Sequence, residues 1–410
     1  MTDTRTRQPP QSTRRIAQQV QGKRILLWGY GLEGKATEAF LKTHCDVSSL
    51  DIFEGTQDGI DENACDLIIK SPGIREAHWG LKYTSATELF LREFAAHTIG
   101  ITGTKGKSTT ASMLYRALQA GQPRPALLVG NIGLPCLDAY DDIGADTIIV
   151  FELSCHQLDH VRVSPHIAVF LNLYEEHLDH YDTPERYFAA KANIATHQHE
   201  GDHFLAGAQV PAIETRARTH ILAQKPQGAA FSLRAPGAHN QYNAQTAYFI
   251  ATELFGGNSA QVRHAIESFD GLPHRLEYIG TAGGIEYYDD SISTIPEAAI
   301  AALGSIAHAK TILLGGMDRG IRYDILEMFM RAHPEYHYIC MYASGRRMYD
   351  AVAPLPYCHY RDDLTAALAL ARKITPPGTA CILSPAAASY GAFKNFEERG
   401  EVFRRLALGK

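Results

Sequence analysis

A disulfide framework, a membrane span and a basic surface are all missing from this sequence. Only seven of its 410 residues are cysteine, at positions 45, 65, 136, 155, 340, 358 and 381, and no two of them form a C-x-x-C pair. An odd, scattered set reads as reduced thiols in a cytoplasmic protein rather than a disulfide frame or a zinc site. No apolar run reaches the roughly 18 residues a bilayer span needs, so no membrane segment is expected. The first twenty residues carry Arg5, Arg7, Arg14, Arg15 and Pro9-Pro10, but no apolar stretch follows them to make a secretory signal. Residues 1–22 are therefore expected to form a disordered arm. The net charge of −6, with both signs interspersed, lacks the basic stripe of a nucleic-acid binder. Internal repeats and low-complexity runs are absent as well. What is present is ordinary for a globular chain: 45% hydrophobic and 20% charged residues, at a length suited to two or three domains.

The most informative stretch is Ile99-Gly100-Ile101-Thr102-Gly103-Thr104-Lys105-Gly106-Lys107-Ser108-Thr109-Thr110. A short apolar run enters it, a glycine-spaced turn follows, and Ala111 to Leu118 continue at helical spacing. This is the strand–loop–helix context of a phosphate-cradling loop, in which backbone N–H groups and a helix N-terminus converge on phosphate oxygens. Lys107 would reach the β- and γ-phosphates and Ser108 would offer a hydroxyl to Mg²⁺. The general pattern asks for glycine where Ile101 stands. A glycine-rich turn with an ordinary surface lysine is the bland alternative, and ATP binding the stronger expectation.

Before that loop, Arg24 to Trp28 is a predicted strand, and Gly29-Tyr30-Gly31-Leu32-Glu33-Gly34 opens a helix to about Leu41. The next predicted strand, Val47 to Leu50, is read as ending at Asp51, the ribose-binding place of a dinucleotide fold. A third, Leu67 to Ile69, leads into the turn Ser71-Pro72-Gly73-Ile74 at the same sheet edge. Thr87–Ala96 is a helical connector. Beyond the phosphate loop, strands are predicted at Ala126–Val129, Thr147–Phe151, Ile167–Leu171 and His203–Leu205, with helices at 184–199 and 242–255. After the break Gly271-Leu272-Pro273, further strands fall near Ile285–Tyr288, Thr311–Leu314, Tyr336–Met341 and Ala380–Leu383. The βα alternation argues for mainly parallel sheets covered on both faces.

Glu152 ends a strand beside the phosphate loop, where Mg²⁺ ligands are found, although a lone Glu is more often a helix N-terminal charge. Asn172-Leu173-Tyr174-Glu175-Glu176-His177-Leu178-Asp179-His180 again follows a strand and holds several metal-capable groups. Zinc is the weaker thought, since only His177 and His180 lie at helical distance. Lys191, in an apolar helical stretch, is either a snorkelling surface lysine or a desolvated amine of lowered pKa.

Taken together, these motifs resemble the Mur ligase family, the ATP-dependent amide-forming enzymes of peptidoglycan precursor synthesis, and in particular its glutamate-adding branch. The likeness runs from about Lys23 onward and its pieces occur in the family's order. Gly103-Thr104-Lys105-Gly106-Lys107-Ser108, continuing into Thr109, is similar to the family's ATP loop. Gly130-Asn131-Ile132-Gly133 resembles the stretch whose Asn contacts the muramoyl substrate. Glu152 and His177 match the Mg²⁺ and substrate-phosphate positions. Lys191 matches the lysine that the family carbamylates, which would turn an amine into an anionic oxygen ligand for a second Mg²⁺. In His239-Asn240-Gln241-Tyr242-Asn243-Ala244, Asn240 and Asn243 would lie near the adenine. Gly271-Leu272-Pro273-His274-Arg275 resembles the hinge into the last domain, with Arg275 toward the γ-phosphate. Asp290-Ser291 opens a stretch similar to the family's D-S-K-A-T-N, but Ile292 replaces its lysine. Ser384-Pro385-Ala386-Ala387-Ala388-Ser389 and Phe393-Lys394-Asn395-Phe396-Glu397 resemble the glutamate-binding end.

The resemblance implies three α/β domains. These are a Rossmann-like UDP-substrate domain over 23–93, a central P-loop ATPase domain over 94–272, and a Rossmann-like glutamate domain over 273–410. Gly31, Leu32 and Glu33 would lie near the substrate diphosphate and Asp51 near the uridine, with Ser71, Pro72, Gly73 and Asn131 on the same ligand. Thr294, Arg319, Ser389 and Phe396 would bind glutamate, and Asp290 would lie on the nucleotide side. Catalysis would rest on Lys107, His177, Lys191 and Arg275, and two Mg²⁺ ions on Ser108, Glu152, His177 and carbamylated Lys191. The expected reaction joins D-glutamate to UDP-N-acetylmuramoyl-L-alanine through an acyl-phosphate; L-glutamate is the alternative. A non-catalytic relative, or an NAD-dependent dehydrogenase on the strength of the first glycine motif, remain the other readings. A cytoplasmic monomer is expected.

Overall fold

The computed structural model describes residues 15–174, 176, 178–222, 230–233 and 237–409. Three sheets organise them. The first contains β1 (Arg24–Trp28), β2 (Ser49–Phe53), β3 (Leu67–Lys70) and β4 (Tyr83–Thr84), parallel in the order β2-β1-β3-β4. The second contains β5 (Thr98–Thr102), β6 (Ala126–Gly130), β7 (Ile148–Glu152), β8 (Ile167–Phe170), β9 (His203–Gly207) and β10 (Arg218–Leu222). It is also parallel, in the order β10-β9-β8-β5-β7-β6. The third contains β11 (Glu277–Ala282), β12 (Ile285–Asp289), β13 (Ala309–Leu314), β14 (His337–Met341), β15 (Cys358–Arg361) and β16 (Ala380–Leu383), in the order β11-β12-β16-β13-β14-β15. There β11 and β12 form an antiparallel hairpin through Gly283-Gly284, both at positive φ, and the remaining pairs are parallel.

Every residue of β5, β7 and β8 is buried. Strands covered by helices on both faces need such continuous apolar runs, and Ile148–Phe151 and Ile167–Phe170 supply them. The phosphate-loop strand β5 sits between β8 and β7, so the loop that leaves it lies in the middle of the sheet's carboxyl edge. Helix Lys107–Gly121 follows the loop. Helix Pro184–Thr196 begins at Thr183, whose hydroxyl accepts from the Arg186 N–H, with Pro184 in the first turn where its missing N–H costs nothing. Helix Ala238–Phe249 continues into a π-helical turn, Ile250–Leu254.

The chain packs as two compact units, one running through Phe231 and taking in Ala238–Glu267, the other holding Ser268 onward. The first unit contains the first two sheets. One apolar cluster joins them, from Ile25, Leu27 and Ile69 through Phe90 and Phe94 of helix Ala86–Phe94 to Phe151, Phe170 and Phe204. Part of the expected arm belongs to this core: Arg15–Val20 is a helix with Ile16 and Val20 buried, and the Ile16 N–H donates to Glu93 Oε2 at 3.0 Å. Order thus begins before Lys23, because two apolar side chains one turn apart have a face to bury. No helix among the described residues is long and apolar enough to cross a membrane.

Candidate active site

The glycine-rich loop is built around two positions. Gly106 caps helix Lys107–Gly121 with φ +84, a left-handed conformation, and a Cβ there would come within 2.6 Å of Asn243 Oδ1. Asn172, just beyond β8, holds the loop from the other side. Its Oδ1 accepts from the N–H groups of Thr104 (3.1 Å) and Lys105 (2.8 Å), and its Nδ2 donates to the Lys105 carbonyl at 2.9 Å. The Thr104 hydroxyl accepts from the Tyr174 N–H and meets the Tyr187 hydroxyl at 3.2 Å. Lys105 is exposed and pairs with Glu176.

Two ammonium groups converge on this loop. Lys107 Nζ donates to the carbonyls of Gly103 and Thr104, both at 3.0 Å, and Lys191 Nζ donates to Gly103 O at 2.8 Å. Lys191 is 1% exposed and lies over the Tyr187 ring. Burial lowers the pKa of both amines. For Lys191, burial and then the neighbouring Lys107 charge bring it to about 7. Glu152 ends β7 in the same sheet, wholly buried. Its Oε1 accepts from Asn131 Nδ2 at 3.1 Å, while its Oε2 has no hydrogen-bond partner. A buried carboxylate oxygen left without a donor is costly unless something positive completes it. The observation fits a hard cation such as Mg²⁺, which prefers oxygen ligands. Ser108 and Thr109 lie half-buried in the first helical turn, and the Thr110 hydroxyl behind them is buried without a partner. Asn240 and Asn243 are both buried on helix Ala238–Phe249, with Asn243 against Gly106. His177 lies outside the described residues.

In the first sheet, Gly31 precedes helix Leu32–His44, and Leu32 is 81% exposed. Glu33 turns inward, its Oε1 accepting from Gln157 Nε2 at 2.6 Å, and burial raises its pKa. Gly34 is required because a Cβ there would strike the Gly29 carbonyl at 2.4 Å. Ser71 Oγ donates to that same carbonyl at 3.0 Å, tying the Ser71-Pro72-Gly73 turn to the glycine motif. Asp51 does not end its strand as expected. β2 runs two residues further, to Phe53, and Asp51 is an exposed mid-strand residue opposite Leu26. The acidic residue at that carboxyl end is Glu54; the polar Ser48-Ser49 pair hides in the sequence where the strand begins.

The remaining predicted residues belong to the second unit and cluster at the carboxyl edge of its sheet. Asp290 follows β12 and is buried. Its Oδ2 accepts from the hydroxyls of Ser293 (2.5 Å) and Ser384 (2.6 Å) and its Oδ1 from the Leu276 N–H (3.1 Å), while burial pushes its pKa up to about 6. Arg275, Thr294 and Arg319 are exposed, Ser389 is buried, and half-buried Phe396 accepts the Ser291 hydroxyl on its carbonyl at 2.8 Å. Ile292 is half-buried, with its N–H donating to His274 O. Sequence reasoning passed over Asn172, Tyr187 and Gln157 as positioning groups. Asn172 had a signal, a polar residue at the carboxyl end of a strand next to the phosphate-loop strand; Tyr187 and Gln157 had none.

Comparison with known proteins follows the same line. Residues 101–222 match the Mur ligase middle domain. The chain is 32% identical to the UDP-N-acetylmuramoyl-L-alanine--L-glutamate ligase of Xanthomonas euvesicatoria pv. vesicatoria (strain 85-10), over 95% of this chain and 96% of that protein. It is also 32% identical to the UDP-N-acetylmuramoylalanine--D-glutamate ligase of Symbiobacterium thermophilum, over 83% of each chain. Among solved structures, the fold is similar to MurF ligase from Thermotoga maritima in complex with ADP, with a TM-score of 0.60, 15% identity, and coverage of 95% of this chain and 96% of that one.

Proposed function

Because this chain belongs to the Mur ligase family, we propose that it is an ATP-dependent ligase that joins glutamate to UDP-N-acetylmuramoyl-L-alanine in the cytoplasm. One observation carries the reading: Lys107 and Lys191 share the Gly103 carbonyl in the sheet where Glu152 keeps an unpartnered carboxylate oxygen. A half-buried Lys107, a buried Lys191 and a buried Glu152 at a glycine-rich loop suit phosphoryl transfer, where catalysis is mainly positioning and charge stabilisation. The three-part division at 23–93, 94–272 and 273–410 belongs to the same proposal.

In the reaction, the terminal L-alanine carboxylate of the nucleotide substrate attacks the γ-phosphorus of ATP, ADP leaves, and an acyl-phosphate forms. The glutamate amine then attacks the acyl carbon, and the tetrahedral intermediate collapses to the amide with loss of phosphate and a proton. Lys107 exchanges its loop carbonyls for the β- and γ-phosphate oxygens. Arg275 adds a second cation to the γ-phosphate. Asn131 orients both the Glu152 carboxylate and the muramoyl substrate, while Asn240 and Asn243 flank the adenine. Ser108, Glu152, His177 and Lys191 would hold two Mg²⁺ ions, which supply positive charge to the transferring group. Lys191 would serve as a ligand only once carbamylated, since Mg²⁺ prefers oxygen donors to an amine nitrogen; its pKa of about 7 leaves a reactive neutral amine at physiological pH.

For the amino acid, the expectation from sequence was D-glutamate. The relative named for L-glutamate matches over 95% of this chain and the one named for D-glutamate over 83%, at equal identity. This supports L-glutamate as the substrate, with Arg319 replacing the cation that Ile292 lacks. The test is phosphate release from ATP with UDP-N-acetylmuramoyl-L-alanine and each glutamate isomer side by side. Release that ignores the UDP substrate, or tight NAD binding without UDP-sugar binding, would overturn the reading.

A further inference from the structure

Arg319 has an acidic neighbour that could defeat its assigned purpose. It stands in the loop after β13, Gly315-Gly316-Met317-Asp318-Arg319-Gly320, and the adjacent Asp318 carboxylate is a built-in competitor for any carboxylate ligand. The structure keeps that competitor occupied. Asp318 Oδ1 accepts from Arg347 Nη2 at 2.9 Å and from the Gly320 N–H at 3.0 Å. Arg347 is itself fixed: the same Nη2 donates to Ile321 O at 2.7 Å, and its guanidinium lies 4.9 Å from the centre of the Tyr323 ring. Tyr323 is 3% exposed, with its hydroxyl donating to Ala386 O at 3.1 Å.

Helix Tyr342–Val352, which carries Arg347, grips the loop a second time. Ser344 Oγ accepts from the Gly316 N–H at 2.8 Å and the Ser344 N–H donates to Gly316 O at 3.1 Å. The opposite wall is the segment before Ser389, which accepts from the Gly315 N–H at Pro385 O and from the Met317 N–H at Ala388 O. The loop is thus held from both sides, and of its two charged groups Arg319, among the described residues, is exposed with no hydrogen bond or ion pair, while Asp318 is paired. We infer that Arg347 is a positioning residue of the amino-acid site, holding Asp318 away from Arg319 so that the Arg319 guanidinium stays free for the incoming carboxylate. The inference rests on the reading of Arg319 as the glutamate cation. A guanidinium binds a carboxylate through two parallel N–H donors, and an intramolecular carboxylate one residue away would take the same fork.

The experiment is steady-state kinetics on the full chain with R319A, R347M, D318N and the double variant R347M/D318N. R347M is expected to raise the KM for glutamate about three- to fivefold, the range an exposed ion pair reaches, with the KM for ATP and kcat changed by less than about twofold. Removing the competing carboxylate as well, in R347M/D318N, should bring the glutamate KM back to within about twofold of the parent. A purely structural role for Arg347 predicts the reverse, a double variant at least as impaired as the single one, and that result overturns the inference. R347Q serves as the second probe if R347M melts below the assay temperature, and R347K should rescue because its charge still engages Asp318. If R319A raises the glutamate KM and R347M does not, only the inference falls. If R319A leaves the glutamate KM unchanged, the Arg319 assignment falls and takes the inference with it.

Discussion

Lys107 and Lys191 end on one carbonyl oxygen, and their environments separate their duties. Lys107 stands in the first turn of the loop helix, where its charge is useful to a phosphate. Lys107→Ala is expected to lose nearly all turnover while UDP-substrate binding, proposed to lie mainly on the first sheet, is kept. One charge contact to a transferring phosphoryl group is worth about 3 kcal/mol. A remaining rate above about a tenth of the parent, roughly 1.4 kcal/mol, would remove Lys107 from that role. Lys191 is buried on helix Pro184–Thr196, with no carboxylate among the described residues hydrogen-bonded to its amine. Its pKa is lowered, so the neutral amine is the minor form below about 7 and the major form above it. Activation by bicarbonate at fixed dissolved CO₂ should therefore grow as pH rises through that value. Lys191→Ala should be close to inactive and partly restored by acetate, which returns an anionic oxygen. An active enzyme whose mass shows an unmodified Lys191 would sink the carbamate.

The phosphate loop is an element that cannot hold its shape alone, because its N–H groups must point at a ligand rather than at each other. Asn172 supplies the missing acceptor for two of them. Asn172→Ala leaves the Lys105 amide without that oxygen, while the Thr104 amide keeps the Asn172 backbone carbonyl at 3.0 Å, at a cost of about 1 kcal/mol. The expected result is a KM for ATP raised at least about fivefold, with the KM for glutamate little changed; equal shifts in both would make Asn172 a general stability residue. The loop and its flanking strands were legible in the sequence, because β7 and β8 carry the apolar runs Ile148–Phe151 and Ile167–Phe170 and the glycine motif marks the end of β5. The edge strands were not. In β10, Arg218-Thr219-His220 is polar and faces out, and β15 is only Cys358-His359-Tyr360-Arg361. The hairpin strand β11 was passed over although Gly283-Gly284 marks its turn, since Glu277–Ala282 carries a glycine and a bulge within its pairing. Asp51 was misplaced for a related reason: β2 is an edge strand whose ends no apolar pattern marks. Partners far apart in sequence, such as Glu33 and Gln157, left no pattern at all to read.

For the whole molecule the sharpest open choice is the handedness of the glutamate. Glutamate presents three groups at its α-carbon that a site can distinguish: the amine that attacks, the α-carboxylate, and the side chain with its second carboxylate. Inverting that carbon while the amine stays aimed at the acyl-phosphate exchanges the directions of the other two. One carboxylate then misses its donor, whether Arg319 or the polar groups around Ser389. Losing a hydrogen bond to a charged group costs about 1.5–3 kcal/mol, or roughly ten- to a hundredfold in kcat/KM. The lysine that the family places at position 292 is replaced by Ile292, so in the proposed site the cation comes from the Arg319 loop, and the matches to relatives named for L-glutamate over 95% of this chain support that isomer. We expect L-glutamate to exceed D-glutamate by at least about tenfold in kcat/KM, with the gap narrowing in Arg319→Ala because that variant removes the contact the isomers compete for. Turnover of D-glutamate above that of L-glutamate in the parent enzyme would reverse the assignment. A gap that survives Arg319→Ala intact would leave the isomer preference standing but move its origin to the Ser389 side of the pocket.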